Sequence, residues 1–289
     1  LNLIIDRLNL YAKLVRLDKP IGILLLLWPT LWALFAASNG WPETRYLVIF
    51  ILGTVFMRSA GCAMNDYFDR DVDLHVKRTK ERVLTSGKIQ PHEALYVAAF
   101  LGLLSLGLIT SLNGLTWFLA CIAAVLAVTY PLMKRFFAIP QAYLGIAFGF
   151  GIPMGFAAIS GEIPFAGWCM LIANICWSIA YDTEYAMVDR DDDIRLGLKT
   201  SAITFGRYDT VWVGVFYLLT LLLLWIAGRS LGYGAPFNIS LLVAAVIACV
   251  HLYWIRDRDR QACFRAFLHN TWIGMTIFIG IFVETTLSR

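Results

Sequence analysis

The sequence predicts an all-α integral membrane protein: about nine transmembrane helices in a bundle around a central cavity, with the N-terminus in the cytoplasm. Three observations predict it. Of 289 residues, 59% are hydrophobic and only 15% are charged, where a soluble domain carries about 25% charged residues. The apolar residues fall in runs of about 20, the length that crosses a bilayer. The basic residues collect in alternate loops. All but four of the 24 Lys and Arg residues lie in the N-terminal segment or after the second, fourth, sixth and eighth runs. Arg45, Arg229 and Arg289 are on the other side, and Arg58 is inside a run. That asymmetry assigns the basic side to the cytoplasm and demands an odd number of crossings. Residues 1–289 therefore read as one integral-membrane domain whose main surroundings are the lipid bilayer. The net charge of +4 says little by its total, and no nucleic-acid partner is expected.

Residues 1–19 read as an amphipathic helix lying on an anionic leaflet, with Arg7, Lys13, Arg16 and Lys19 toward the headgroups. The segment lacks the short apolar core and small-residue cleavage site of a removable leader. Pro20 suits the first turn of a first span, Ile21 to Ala37, in which Pro29 is a potential kink. A second span, Tyr46 to Met64, runs into a polar segment, residues 65–91. A third, Ala94 to Leu112, turns at Asn113-Gly114 into a fourth, Leu115 to Leu132, closed by Met133-Lys134-Arg135. The fifth, Ala138 to Ile159, carries Gly145, Gly149, Gly151 and Gly155, a small-residue spacing that lets helices approach closely. The sixth, Phe165 to Met187, leads into a second polar segment, residues 188–209. Three more follow: Val211 to Ala227, Ile239 to Ile255, and Phe267 to Thr285. The six cysteines form no CxxC and no Cys/His metal spacing, and read as small apolar fillers.

Two acidic clusters stand out. Asn65-Asp66-Tyr67-Phe68-Asp69-Arg70-Asp71-Val72-Asp73 follows the second span, and Asp182 with Asp189-Arg190-Asp191-Asp192-Asp193 follows the sixth. A parallel repeat of four spans would bring both to one membrane depth, facing a shared cavity. Asp69 and Asp73 are four apart, as are Asp189 and Asp193, so on a helix each pair shares a face with Cβ atoms about 6 Å apart. Asn65 and Asp182 fall on the same faces. Asp71 and Asp191 fall on others and read as solvated or arginine-paired. Any one Asp reads as a solvated helix end or an ion-pair partner. Two matched clusters on one side of the membrane do not, because like charges this close repel unless a cation offsets them. Oxygen donors of this kind suit Mg²⁺ bridged to a substrate phosphate.

A diphosphate would also need cations from the protein. Arg70 and Lys77 follow the first cluster, and Lys134 and Arg135 stand beside Tyr130-Pro131, where a helix ends or bends. Each could equally be a positive-inside anchor. Arg58 lies within an apolar span, two turns before Asn65. A buried arginine needs an anionic partner: Glu184, or an anionic group on a substrate such as an aromatic carboxylate. Tyr67, Phe68, Tyr130, Tyr143, Phe148, Trp177, Tyr181 and Tyr185 read singly as packing residues. As a set, they could shield a carbocation with their π faces.

Asn65-Asp66-x-x-Asp69-x-x-x-Asp73 and Tyr181-Asp182-x-x-Tyr185-Ala186-x-x-Asp189-x-x-Asp192-Asp193 resemble the two aspartate-rich motifs of the UbiA superfamily of intramembrane prenyltransferases. Asp18-Lys19-Pro20-Ile21-Gly22, Trp28-Pro29-Thr30-Leu31-Trp32-Ala33, Tyr130-Pro131-x-Met133-Lys134-Arg135, Pro140-Gln141 and Ile152-Pro153-Met154 resemble its 4-hydroxybenzoate branch. The resemblance covers nearly the whole chain. It implies a nine-span bundle whose cavity opens laterally to lipid. The implied reaction moves a polyprenyl chain from polyprenyl diphosphate to C3 of an aromatic acid acceptor, 4-hydroxybenzoate, with Mg²⁺ as cofactor, in ubiquinone biosynthesis. The resemblance carries Asn65, Asp69, Asp73, Asp189 and Asp193 onto metal–diphosphate positions and Arg135 onto a residue needed for activity. Arg58, Arg70, Lys77, Lys134 and Asp182 are the further candidates for substrate binding. Such a protein is expected in a bacterial inner membrane with its active site facing the cytoplasm. The alternatives are another acceptor in the same superfamily (a naphthoate, homogentisate, haem or glycerol phosphate) and an ion-coupled transporter with carboxylates as coupling sites.

Overall fold

The computed structural model of the chain describes residues 2–75 and 79–287, and every regular element among them is helical. Lys77 is outside the described residues, as are the side chains of Lys134 and Arg135. The helices are α1 (Asn2–Leu14), α2 (Ile21–Ser38), α3 (Thr44–Asp73), α4 (Pro91–Ile109), α5 (Gly114–Thr129), α6 (Pro140–Gly149), α7 (Gly151–Ser160), α8 (Phe165–Arg195), α9 (Ser201–Phe205), α10 (Asp209–Ser230), α11 (Ala235–Ile255) and α12 (Arg260–Thr286). A short 3₁₀ turn, Tyr130–Arg135, joins α5 to α6, and another, Gly206–Tyr208, joins α9 to α10.

Local chemistry sets the ends. Pro91 opens α4, where Glu93 Oε1 accepts from the Gln90 N–H at 2.8 Å. The Asn113 side chain accepts from the Thr116 N–H at 2.9 Å at the start of α5, and Asp259 does the same for Ala262 at 2.8 Å at the start of α12. Asn39 closes α2 in the left-handed conformation, with φ of 49°.

Among the described residues, eight helical segments are long and apolar enough to cross a membrane. α8 is a ninth helix of sufficient length, 31 residues. Its apolar character is diluted by Asn174, Asp182 and Glu184, and its tolerance of them follows from its position. It packs against α6, α10 and α12 and buries residues all along its length, so neighbouring helices satisfy its polar groups. The fifth expected span is two helices, α6 and α7, meeting at Phe150, because Pro153 has no N–H to give to the preceding turn.

Its glycines do what their spacing predicts. A Cβ at Gly145 would lie 2.9 Å from the Ile175 Cα of α8, and one at Gly155 would lie 3.3 Å from Ala33 Cβ of α2. The α6–α7 pair is thus wedged between α8 and α2. The main apolar core joins α2, α7, α8, α10, α11 and α12, with Trp32, Phe156, Trp177 and Phe237 fully buried. A smaller cluster seats α1 and the segment after α3 on α3 and α4, through Leu14, Ala60, Ala63, Val83, Leu84 and Ile89.

α3 and α8 continue as helix straight through both acidic motifs, over 30 and 31 residues. The polar segments expected from residues 65 and 188 onward therefore begin as helix. This continuity fixes the relative facing of every motif side chain.

Candidate active site

A cavity of about 1190 Å³ opens between α2, α3, α4, α5, α6, α7, α8 and α12. Both motifs reach its wall: Asn65 and Asp66 from α3, Asp182 from α8. Lys13, Arg16, Lys19 and Arg82 join them at the motif-bearing end. Farther from the motifs the wall is apolar, with Leu25, Ile49, Phe50, Met57, Ile109 and Ala124 among its residues. One chamber thus has an ionic end and an apolar shaft.

The ionic end is held by shared arginines. Asp66 is only 2% exposed. Its Oδ1 accepts from Arg16 at 2.5 Å and from Arg82 at 3.1 Å. Arg82 Nη1 also reaches Asp73 Oδ2 at 2.5 Å, and Thr79 donates to the Asp73 carbonyl at 2.9 Å. Burial opposes the Arg16 charge, and the Asp66 carboxylate more than offsets it, so the Arg16 pKa is raised. From the sequence, Arg16 reads as a headgroup-facing charge and Arg82 as one of the charges of the basic side. The one local sign is at Arg16, a non-glycine with φ of 58°, and a backbone angle is invisible in a sequence.

Asp69, Asp73, Asp189 and Asp193 are all buried, at 8%, 5%, 9% and 9% exposure. They follow Asn65 and Asp182 along the motif faces of their helices. Asp71 and Asp191 point outward, as expected. Arg70 approaches Asp71, and Arg260 pairs with Asp191 at 2.8 Å. Arg70 is not on the cavity wall. It donates to the Tyr67 carbonyl at 2.7 Å and lies over the Tyr67 ring. Of the aromatic set, Tyr130, Phe148, Tyr181 and Tyr185 line the cavity, whereas Trp177 is buried in the core and donates to Asn270 at 2.9 Å.

The segment after α8 returns to residues 136–141, which follow the 3₁₀ turn. Lys199 Nζ donates to the Phe136 carbonyl at 3.2 Å, Thr204 to the Ala138 carbonyl at 2.5 Å, and the Ser201 N–H to Gln141 Oε1 at 3.0 Å. These bonds tie the segment after the second motif to residues 136–141, just past the 3₁₀ turn.

Arg58 does not pair with Glu184, one of its two expected partners. Glu184 is fully buried on another face of α8, accepting from Tyr217 and Asn270, each at 2.8 Å. Arg58 lies on the cavity wall, 5.8 Å from the Phe148 ring centre. Its Nη1 contacts the Cys62 sulfur. No carboxylate among the described residues pairs with it, and its buried Nε has no acceptor.

Among the described residues, no three His, Cys, Asp or Glu side chains converge closely enough to hold an ion unaided. The donors are nonetheless hard oxygens in two groups at one end of the chamber. That set suits a cation such as Mg²⁺, which keeps water and takes substrate phosphate oxygens to complete its shell.

Residues 26–277 match the model of the UbiA prenyltransferase family. The chain is 62% identical over 282 residues to a 4-hydroxybenzoate octaprenyltransferase of Cupriavidus metallidurans, across 98% of this chain and 96% of that one. It is 59% identical to the enzyme of the same name from a Janthinobacterium species, across 98% and 99%. In fold it resembles the apo UbiA homologue of Aeropyrum pernix K1, with a TM-score of 0.79 at 23% identity over 91% of this chain and 97% of that one. It also resembles an Archaeoglobus fulgidus homologue bound to GPP and Mg²⁺, with a TM-score of 0.70 at 17% identity over 94% and 99%. The chain belongs to the UbiA prenyltransferase family.

Proposed function

We propose that this protein transfers a polyprenyl group from polyprenyl diphosphate to C3 of 4-hydroxybenzoate, releasing diphosphate, as a step of ubiquinone biosynthesis. One observation carries the reading: a single chamber has acidic groups of both motifs and basic residues at one end, an apolar shaft, and on its wall an arginine that no carboxylate among the described residues pairs with. That combination suits a substrate pair made of a diphosphate with a long apolar tail and a small aromatic anion. The names of the relatives, 4-hydroxybenzoate octaprenyltransferases, support the same acceptor and a long donor.

The residues divide the work. Asn65, Asp69, Asp73, Asp189 and Asp193 would hold the divalent cation, for which Mg²⁺ is proposed. Bound there, it offsets diphosphate charge as the allylic C–O bond breaks. Lys134, Arg135 and Lys77 would add positive charge toward the leaving group, and Asp182 and Asn65 stand on the chamber wall. Arg58 receives the acceptor carboxylate and so orients the ring, while Tyr130, Phe148, Tyr181 and Tyr185 present π faces to the allylic cation. The apolar shaft excludes water that would quench that cation. The ring carbon ortho to the hydroxyl then attacks, and its proton leaves to a carboxylate or to diphosphate. The site is proposed to face the cytoplasm from a bacterial inner membrane.

The test is prenyl transfer in membranes carrying the protein, given 4-hydroxybenzoate and a polyprenyl diphosphate, with Mg²⁺ or with EDTA. A 3-prenylated product that EDTA abolishes is expected. Diphosphate release with another acceptor only would move the acceptor assignment. No diphosphate release with any acceptor would sink the reading.

A further inference from the structure

Arg58 occupies its position because the residue facing it has no side chain. Gly22, in the first turn of α2, lies against the Arg58 guanidinium. A Cβ built on Gly22 would sit 2.7 Å from Arg58 Nη2, 2.9 Å from Nε and 3.1 Å from Cζ. Real Cβ atoms do not tolerate such contacts. Gly22, Arg58, Cys62 and Phe148 all line the chamber. The head group is therefore bounded on three sides: by the α2 backbone, the Cys62 sulfur and the Phe148 ring.

The physics of the contact separates it from ordinary helix packing. At Gly145 the atom in the way is a backbone Cα of α8, which cannot yield without moving a helix. At Gly22 it is the far end of a flexible side chain. A methyl there would displace the guanidinium at little cost to the fold, and only the position of one charge would change. Gly22 also has a negative φ within a regular helix. Backbone freedom is not what a glycine supplies there; space is.

We propose that Gly22 is a specificity-determining position that gauges the reach of Arg58 and so sets recognition of an anionic aromatic acceptor. The proposal rests on the reading that Arg58 receives the acceptor carboxylate. With Gly22 in place, the buried Nε edge of Arg58, which lacks an acceptor, is kept pressed toward α2, and the planar fork is held in one orientation. A guanidinium held this way can bind a carboxylate with two parallel N–H···O bonds, which fixes the ring as well as the charge. A larger residue at Gly22 would push the fork into the chamber, where it would meet the acceptor ring at the wrong depth.

The experiment compares wild type, Gly22→Ala, Arg58→Lys and the double variant in membranes, with 4-hydroxybenzoate and with uncharged 4-hydroxybenzamide. KM is measured separately for acceptor and for prenyl diphosphate. Gly22→Ala is expected to raise KM for 4-hydroxybenzoate about tenfold, the scale of one misplaced charge-assisted hydrogen bond. KM for the diphosphate and turnover of the amide should stay near wild type. The shorter, more flexible lysine leaves room for the methyl, so the double variant should be no worse than Arg58→Lys alone, a coupling that a double-mutant cycle reads directly. Equal losses with benzoate and benzamide, or strictly additive effects in the double variant, would overturn the gauge. Wild-type protein that prenylates the amide as well as the benzoate would instead overturn the assignment of Arg58 to the carboxylate, and the gauge with it.

Discussion

Arg82 holds two carboxylates at once, those of Asp66 and Asp73. Asp66 and Asp73 neutralise arginines in the structure itself. Removing Asp66 leaves Arg16 and Arg82 partly buried without their shared partner. Breaking such a pair costs about 3 kcal/mol, so Asp66→Ala should melt distinctly earlier than wild type in a detergent thermal-unfolding assay. Asp69 and Asp189 belong to the proposed cation-binding set. Asp69→Ala and Asp189→Ala should lose turnover by about 100-fold or more, the scale of removing one group that stabilises developing charge. Diphosphate release in a single turnover is the readout. Near-normal release by either variant would remove it from the proposed metal set. The sequence put these aspartates together from spacing alone, because helical geometry fixes residues four apart. It could not assign Arg16 and Arg82, whose partners lie 50 and 16 residues away.

At the scale of elements, α8 organises the bundle through its two opposite faces. Tyr181, Asp182 and Tyr185 face the chamber. Glu184 faces the other way into a sealed network. The Tyr217 hydroxyl of α10 bonds its carboxylate and lies 3.0 Å from His251 Nδ1 of α11, and Asn270 of α12 donates to its second oxygen. One carboxylate thereby ties α8 to two neighbouring helices and, through Tyr217, to a third. Glu184→Ala removes the acceptor that Tyr217 and Asn270 share and leaves them only their bonds to each other, to His251 and to the Ala266 carbonyl, a loss of about 1–3 kcal/mol. Glu184→Gln retains an acceptor and should lose less. Unfolding midpoints of the two variants order these outcomes, and equal midpoints would contradict the network's role. α6 is fixed differently, by close contact. Gly145→Val would press a branched side chain onto the α8 backbone at Ile175. Overpacking of this kind costs about 1–3 kcal/mol and would move the α6 wall of the chamber, so activity should fall together with stability. The small-residue spacing announced the Gly145 contact. Nothing in the sequence announced the partner of Glu184, because a buried glutamate looks the same whether it meets an arginine or a tyrosine.

The whole molecule combines a pattern that sequence carries well with one it carries poorly. Apolar run length depends on each segment's own composition, so the spans could be read directly. The break between α6 and α7 and the burial of α8 depend on neighbours, so they could not. Orientation follows from a count that can be tested. Nine crossings, with the loops after α3, α5, α8 and α11 on the basic side, put the N-terminus and both motifs in one compartment and the C-terminus in the other. A C-terminal reporter active only outside the cytoplasm should therefore be active. The same reporter joined after Gly197, which follows α8 in the second motif segment, should be silent. If α8 failed to cross, its first turn and its motif would share the outer side, so the Gly197 reporter would become active and the C-terminal reporter would fall silent. The pair of fusions thus tests the one helix whose hydropathy is weakest. It does so through the charge that must stay on the diphosphate side for the chemistry to work.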